Sequence, residues 1–387
     1  MGRLNELLES YCPDGVQFKP LSEIATIKRG DRITKKDLVD GGEYPVISGG
    51  VSPMGRYSQK NRDANTITIS SYGAAGYVGF VTEDFWANDV CLSVFPDDEV
   101  IKNKFLYYAL ASQQEYLYKN TTKAIPDHIP TSFLEMLSIP VPPIEVQGEI
   151  VRILDNFTEL TAELTAELTA RKKQYEYYRE SLLTFGTDTP VVRLGDFATI
   201  KRGGNFQKKD FVEDGRPCIH YGQMYTHFGV YANKTLTFVN DDVFQKSKQA
   251  VPNDIVMAVT SENVEDVCSC TAWLGNEPIA VSGHTAIIHH NQNPKFLSYY
   301  FRTAHFFAQK RKLAHGTKVM EVTPDKLNDI LIPLPSIEEQ ERIVVMLDRF
   351  DSLCNDISAG LPAEIEARQK QYEYYRDKLL NFKEMSV

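Results

Sequence analysis

The sequence predicts an α+β protein, in which two α+β domains are separated by two long helices that pack antiparallel as a coiled coil, with a pseudo-two-fold internal repeat. Three observations support this fold class. Blocks of sequence recur in the same order in both halves of the chain. The segments between these blocks contain short β-branched runs bounded by turn residues. The recurring modules themselves carry apolar residues at helical spacing.

The internal repeat consists of three pairs of matching blocks. Residues 21–38 (LSEIATIKRGDRITKKDL) match 194–211 (LGDFATIKRGGNFQKKDF), and 139–160 match 332–353 from IPVPPIEVQ and IPLPSIEEQ onward. Residues 171–185 (RKKQYEYYRESLLTF) match 368–382 (RQKQYEYYRDKLLNF). Because the order is kept, we expect four parts: a domain at 1–143, a spacer helix at 144–185, a second domain at 186–336 and a second spacer helix at 337–387.

The two domains are expected to contain strands and shorter helices. Strand-like runs occur at 65–80, 253–260 and 280–290, and helical stretches are expected at 103–118 and 295–312. Gly73, Gly76 and Gly79 have the wrong spacing for a dinucleotide-binding fingerprint, so this segment is interpreted as a hairpin.

The spacer modules have the apolar rhythm of long helices. Ile150, Ile153 and Phe157 step by three and four, whereas the tandem TAELTAEL at 161–168 inserts a four-residue turn, a stutter in the supercoil. The second module should break at Gly360 and Pro362, since proline removes a backbone donor. In the QYEYYR motifs, heptad spacing places one pair of tyrosines in each seam, namely Tyr175, Tyr178, Tyr372 and Tyr375.

Charge is distributed unevenly along the chain. The net charge of -10 argues against a nucleic-acid partner, but residues 295–318 contain several lysines and arginines and not one acidic residue. The amino terminus lacks the apolar stretch of a signal peptide and no run is long enough for a membrane span, so a cytoplasmic location is expected. The six cysteines have no framework spacing, which is typical of reduced thiols.

Taken together, these blocks resemble the specificity subunit of type I restriction-modification enzymes over essentially the whole chain, and notably the subgroup with a TAEL spacer. The resemblance implies a non-catalytic subunit whose two domains each read half of a bipartite, asymmetric target in double-stranded DNA. It further implies that the helices bind two methyltransferase subunits, with restriction and translocase subunits in the full complex. Adenine methylation and DNA cleavage would then belong to those partners.

Cofactors are also expected in the partners, namely S-adenosylmethionine, ATP and magnesium, with none bound by this chain. The sequence contains neither the motif [DNS]-P-P-[YF] of amino-methyltransferases nor a phosphate-binding loop. Cys268 and Cys270, with His284, His289 and His290, match no standard zinc spacing, so no metal site is predicted.

The candidate DNA contacts are basic residues that recur in both halves and polar residues that follow strands. The recurring cations are expected to contact phosphates, because a shared role in two domains with different targets must be positioning. The full set is Lys28, Arg29, Lys35, Lys36, Lys123, Lys201, Arg202, Lys208, Lys209, Lys310, Arg311, Lys312 and Lys318, with Ser70, Ser71, Tyr72, Ser261, Glu262 and Asn263 as candidates for base edges. Tyr177 and Tyr374, outside the seam, are candidates for a methyltransferase interface.

Two other classes of protein remain open at this point. A structural adaptor would use the helices as a spacer and the domains to bind proteins, and it would show no salt-sensitive affinity for DNA. A nuclease or methyltransferase with an unrecognised site would turn over substrate as an isolated chain. A further alternative is that each of these cations is an ordinary solvated surface charge with no role in binding.

Overall fold

The computed structural model describes residues 2–122, 126–204, 206–356 and 359–385. Contacts divide the chain into two compact units, which we call the first unit (Met1–Thr165 with Glu364–Val387) and the second unit (Ala166–Ala363). Each unit combines sheets with helices, which confirms the predicted α+β class, and each includes part of one long helix at Ile144–Leu182.

Long helices and short helical turns alternate with the strands. The α-helices of the described residues are α1 (Gly2–Tyr11), α2 (Leu21–Ile24), α3 (Asn103–Ser112), α4 (Gln114–Lys119), α5 (Thr131–Glu135), α6 (Ile144–Leu182), α7 (Leu194–Phe197), α8 (Asp241–Lys246), α9 (Pro294–Tyr300), α10 (Ala304–Leu313), α11 (Pro324–Leu327), α12 (Ile337–Asn355) and α13 (Leu361–Leu380). Short 3-10 turns lie at Lys208–Asp210 and Tyr221–Met224.

Strands of two to six residues build the sheets. They are β1 (Gln17–Pro20), β2 (Ala25–Arg29), β3 (Tyr44–Ile47), β4 (Gly55–Tyr57), β5 (Thr66–Ser70), β6 (Val78–Val81), β7 (Trp86–Ala87), β8 (Cys91–Pro96), β9 (Ser138–Val141), β10 (Val191–Arg193), β11 (Ala198–Arg202), β12 (Phe211–Val212), β13 (Arg216–Ile219), β14 (Tyr231–Ala232), β15 (Thr237–Val239), β16 (Gln249–Ala250), β17 (Ile255–Ala258), β18 (Thr260–Ser261), β19 (Cys270–Trp273), β20 (Ile279–Val281), β21 (Thr285–His290), β22 (Met320–Glu321) and β23 (Leu331–Pro333).

In the first unit the sheets follow the orders β2-β8-β5-β6 and β4-β3-β7, with β1 paired to β9. Strand β5 lies inside its sheet and is buried along its whole length, so the polar residues that alternate with isoleucine in TITIS are buried as well. It pairs antiparallel with β6 across Gly73 and Gly76, whose φ angles are +80° and +85°, so the predicted hairpin is confirmed.

In the second unit two five-stranded sheets follow the orders β11-β21-β17-β19-β14 and β12-β15-β13-β20-β16. Two small antiparallel pairs, β10-β23 and β18-β22, complete the strand pairing. The pairing of β2 with β8 in the first unit has its counterpart in β11 with β21, and the parallel pairing of β3 with β7 has its counterpart in β13 with β20. The repeat in sequence is therefore a repeat in topology.

The helical predictions are confirmed, with local breaks. Helix α6 is continuous through the TAEL tandem, and the second module is divided into α12 and α13 on either side of Gly360, as proline at 362 predicts. The stretches predicted at 103–118 and 295–312 are each split in two. In the second stretch, the Thr303 hydroxyl accepts the Phe306 N–H and so caps a new helix.

The seam tyrosines pack within their own units. Tyr175 is buried and its hydroxyl donates to Asp351, and Tyr372 and Tyr375 pack on the core of the first unit. Tyr178 stacks on Phe350 at 5.0 Å between ring centroids, yet it stays 37% exposed and is only partly a core residue. The antiparallel coiled-coil pairing of the two spacer helices stays a prediction.

No helix within the described ranges is both long and apolar enough to span a membrane.

Candidate nucleic-acid interface

Corresponding backbone hydrogen bonds occur at the strand ends of both units. In the first unit Ser71 N–H donates to Val90 O (2.8 Å) and Ser71 O accepts from Ile129 N–H (3.0 Å). In the second unit Val259 N–H donates to His284 O (2.9 Å) and Val259 O accepts from Val322 N–H (3.0 Å). We call the region around these bonds the strand-end site.

Further bonds extend this correspondence. Thr122 N–H donates to His128 O (2.8 Å), just as His315 N–H donates to Glu321 O (3.0 Å). Asn88 N–H donates to Ile47 O (2.9 Å), just as Ser282 N–H donates to Ile219 O (3.1 Å). The bonds define equivalent positions in the two units: 71 and 259, 88 and 282, 90 and 284, 122 and 315, and 128 and 321.

The side chains at these equivalent positions differ. In the first unit His128 stacks on Tyr72, with ring centroids 5.3 Å apart, and bonds the Thr122 hydroxyl. In the second unit the position of His128 is held by Glu321, and the position of Tyr72, next along the chain from 71, is held by Thr260. One scaffold therefore presents two different sets of hydrogen-bonding groups.

A cluster of aromatic and imidazole rings adds to the strand-end site of the second unit. Tyr221 lies between His220 (4.5 Å between centroids) and His284 (4.9 Å), and the Thr260 hydroxyl oxygen lies 3.0 Å from His284 Nδ1. Burial, and then the charges of Lys208 and His284, lower the pKa of His220. His220 is therefore neutral at pH 7, with one ring nitrogen an acceptor and the other a donor.

The recurring KKD triplets present their lysines in the same way. Asp37 accepts the Thr34 N–H at 2.7 Å, and Asp210 accepts the Gln207 N–H at 2.8 Å, so each aspartate caps its own turn. The backbone bond from Thr34 also lowers the pKa of Asp37. The turns leave their lysines exposed, and these are Lys35, Lys36, Lys208 and Lys209.

The remaining recurring cations lie on the edge strands β2 and β11. Lys28 and Arg29 are exposed, and Lys28 Nζ lies 5.3 Å from the centre of the Phe95 ring. Lys201 is also exposed. Arg202 differs, because its Nε donates to Gly283 O (2.9 Å) and its Nη1 lies 2.9 Å from Glu321 Oε1. Arg202 is thus already paired with an acid and is a weaker phosphate contact than the sequence predicts.

Two of the serines predicted to reach base edges do not. Ser70 and Ser71 are buried, and the Ser71 hydroxyl donates to Val90 O at 2.9 Å. Both serines lie at the end of β5, where packing of the strand buries their side chains. Their assignment as contacts to base edges is therefore wrong. Tyr72, the next residue, is half-buried and joins the strand-end site through its stack on His128.

The prediction for Lys310 is also wrong. Its side chain is buried, and its ammonium donates to the carbonyls of Glu265 (2.7 Å) and Val267 (2.6 Å). Burial lowers the pKa of this lysine. Its neighbours Arg311 and Lys312 are exposed, because successive helical residues face different directions.

The other predicted contacts have mixed surroundings. Asn263 is exposed, but its side chain bonds Asp266 and the Asp266 N–H and serves the turn. Ser261 is half-buried in β18, Glu262 is exposed, and Lys318 is exposed on the loop that leads into β22. Lys123 lies outside the described residues.

The candidate cysteines and histidines of the second unit do not form a common cluster. Cys268 and Cys270 are buried, whereas His289 lies 2.6 Å from Asp254. The described part of the chain contains no group of three or more side chains placed to hold a metal ion.

Sequence reasoning missed the residues that fix the spacer helices to the domains. Asp155 accepts from Lys104 Nζ (2.8 Å) and the Tyr108 hydroxyl (2.6 Å), and Asp348 accepts from Lys295 Nζ (2.8 Å) and the Tyr299 hydroxyl (2.8 Å). Burial, above all, raises the pKa of both tyrosines, which keeps them protonated as donors. The LDxF motif, which recurs in both repeated blocks and contains these two aspartates, was the sequence signal that could have identified them.

A buried glutamine makes a second connection in each unit. Gln147 accepts the Lys102 N–H (2.7 Å) and donates to Val100 O and Pro142 O. Gln340 accepts the Asn293 N–H (3.0 Å) and donates to Pro335 O and to the side-chain oxygen of Gln292. The spacer helix of each unit is thereby attached at fixed points to the segment that precedes α3 or α9.

The described residues combine a duplicated scaffold with exposed cations and with polar groups that differ between the units, an arrangement that suits the binding of DNA. Comparison with known proteins agrees. The family model for the type I restriction modification DNA specificity domain matches residues 13–171 and 187–367. The chain belongs to this family, whose members are non-catalytic subunits of restriction-modification systems, with catalysis in partner subunits.

Individual relatives resemble the whole chain. A putative type I restriction enzyme specificity subunit of Haemophilus influenzae is 30% identical over 98% of both chains. A type I restriction enzyme specificity subunit of Escherichia coli is 31% identical over 99% of this chain and 97% of its own. A crystal structure of the S subunit from M. genitalium shares the fold, with a TM-score of 0.60, 17% identity and coverage of 95% of this chain and 96% of that one.

Proposed function

We propose that this chain reads a bipartite, asymmetric DNA target for a type I restriction-modification complex, with one half-site for each unit and a fixed spacer between them. The duplicated strand-end site carries the proposal. A common scaffold supplies a common way of approaching the duplex, while His128 and Tyr72 in one unit and Glu321 in the other supply different groups to the base edges.

Affinity and sequence preference would come from different residues. The exposed lysines of the KKD turns are the same in both units, and phosphates are the same at every base pair, so these lysines suit backbone positioning. The strand-end residues differ between the units, as residues that read different bases must.

The helices would recruit the partners. Tyr177 and Tyr374 are 69% and 60% exposed, and each packs edge-on against its neighbour, Tyr178 and Tyr375. Exposed tyrosines at matching places of a repeat suit two copies of one partner, and we assign these surfaces to two methyltransferase subunits. Restriction subunits would join the same complex, and S-adenosylmethionine, ATP and magnesium would bind in the partners. The TAEL tandem would place the chain in the TAEL-spacer subgroup.

The test uses the chain assembled with its methyltransferase. Binding to a library of random duplexes at several salt concentrations should give an affinity that falls with salt and an enriched motif with two short parts. A structural adaptor would instead show neither salt-sensitive affinity nor a motif. Mapping of methylated adenines in a genome that carries both genes should return the same motif.

A further inference from the structure

The residue Glu321 occupies an unusual place for an acidic side chain on a DNA-binding surface. It lies in β22 directly opposite Thr260, in the strand-end site of the second unit. Its backbone N–H donates to His315 O at 2.8 Å, and its carbonyl accepts from His315 N–H at 3.0 Å. Because both backbone groups are bonded, the side chain projects from a fixed point.

The two carboxylate oxygens of Glu321 have different surroundings. Oε1 is buried and forms an ion pair with Arg202 Nη1 at 2.9 Å but accepts no hydrogen bond, while Arg202 Nε donates to Gly283 O at 2.9 Å. Oε2 is neither buried nor bonded within the described ranges, although the side chain as a whole is 29% exposed. Arg202 therefore orients the carboxylate and leaves Oε2 facing solvent as an acceptor.

A carboxylate beside DNA is unfavourable unless it meets a hydrogen-bond donor, because phosphates surround it with negative charge. The donors in the major groove are the exocyclic amines of cytosine and adenine. Adenine carries the acceptor N7 next to its amine, which suits the amide of Asn or Gln, whereas cytosine presents the amine alone. A single free carboxylate oxygen therefore fits cytosine.

The equivalent position of the first unit has different chemistry. His128 stacks on Tyr72 and bonds Thr122, and its ring replaces the carboxylate. Arg29, the counterpart of Arg202, has no ion pair among the residues that the structure describes. The ion pair of Arg202 and Glu321 is thus a feature of one unit on a scaffold that both share.

We propose that Glu321 is a specificity-determining residue, which accepts a hydrogen bond from the N4 amine of a cytosine in the half-site read by the second unit. Arg202 is its positioning residue. This inference rests on the proposed function and adds to it the base that one side chain recognises.

The variant Glu321→Gln tests it, since the amide keeps the shape of the side chain and can bond adenine through both its groups. The matched control is Glu213→Gln, which removes one exposed carboxylate from the same unit. Each variant is assembled with the methyltransferase, and methylated adenines are mapped genome-wide. We expect the parent and the control to share one motif. We expect Glu321→Gln to lose roughly ten- to a hundred-fold of its preference for G·C at one position of one half-site and to accept A·T there.

Three results have distinct meanings. Relaxation at a single position, with the other half-site intact, supports the inference. An unchanged motif in Glu321→Gln, as in the control, overturns it and leaves Glu321 a surface charge with no role in base recognition. Absence of a bipartite motif in the parent complex overturns the proposed function instead.

Discussion

The aspartates of the KKD triplets show why a few polar residues recur among variable ones. Asp37 and Asp210 cap the turns that carry the paired lysines. Each triplet therefore stabilises its own turn and exposes two positive charges. Lys310, which has equally basic neighbours, lies instead on the inward side of α10 and serves the core.

Replacing Lys208 and Lys209 together by Ala should weaken DNA binding by the assembled complex without changing its motif. Each phosphate contact contributes about one unit to the slope of log affinity against log salt, so we expect the slope to fall by up to about two. Titration at several salt concentrations measures it. Lys234→Ala with Lys246→Ala removes the same charge from other exposed positions of this unit. Equal slopes in the two double variants would show that the KKD lysines are ordinary surface charges.

The spacer helices are attached to the domains through a few buried polar side chains. Gln147 and Gln340 are fully buried, and Asp155 and Asp348 each hold a lysine and a tyrosine from α3 or α9. Such attachments couple the orientation of a helix to the orientation of the domain that it carries, because they leave little freedom for rotation between the two.

Replacing Gln340 by Ala should destabilise the second unit. The change leaves the Asn293 N–H and the Pro335 carbonyl without their partner, which should lower the free energy of unfolding by about 2–4 kcal/mol. Denaturant unfolding measures it, with the exposed neighbour change Glu341→Ala as the control. If both variants unfolded at the same denaturant concentration, Gln340 would not hold the helix in place.

The TAEL tandem is suited to insertion within a helix. Ala, Glu and Leu are good helix formers, and the threonine hydroxyls bond back within the helix, Thr161 to Phe157 O (2.9 Å) and Thr165 to Thr161 O (2.8 Å). From Leu160 to Arg171 the first module is four residues shorter than the second is from Leu353 to Arg368. The two spacer modules therefore differ in length by one four-residue unit over this segment.

Inserting one further TAEL after Leu168 should lengthen the spacer of the DNA target by one base pair and leave both half-sites intact. Four helical residues rise about 6 Å and turn about 400°, one full turn plus about 40°. One base pair rises about 3.4 Å and turns about 34 to 36°. The extra rotations nearly agree, so the apolar seam is kept, and tilt or DNA distortion must absorb the difference in rise.

Genome-wide mapping of methylated adenines in the parent and the insertion variant decides this prediction. Insertion of Ala-Ala-Glu-Leu at the same point is the control, because it has the same length without the threonine. An unchanged spacer, or altered half-sites, would mean that the helix does not set the distance between the half-sites.

At the scale of the molecule, a duplicated scaffold lets one chain present two different surfaces. The same backbone bonds hold Ser71 and Val259 while the residues around them vary. Members of this family act together with partner subunits, because catalysis belongs to those subunits.

The isolated chain should neither methylate nor cleave DNA when supplied with S-adenosylmethionine, ATP and magnesium. Methyl transfer from labelled S-adenosylmethionine and gel analysis of plasmid DNA measure the two activities. Adding the methyltransferase partner should restore methylation and serves as the positive control. Turnover by the pure single chain would contradict the assignment of catalysis to the partners.

The sequence by itself determined the duplicated architecture, the continuous helix α6, the break before α13 and the exposed KKD lysines. These follow from repeats, helical periodicity, proline chemistry and local turns, all of which act over a few neighbouring residues.

Only the tertiary structure decided which polar side chains are exposed and unpaired, and so able to contact a ligand. Ser71 and Lys310 are buried because distant segments supply carbonyls to them, and Arg202 is occupied because β22 brings Glu321 to it from more than a hundred residues away. His128 meets Tyr72, and His284 meets Thr260, through pairing between strands and loops that are remote in the chain. Composition and spacing do not predict these pairings, because burial and hydrogen-bond partners depend on tertiary contacts between segments that are remote in the sequence.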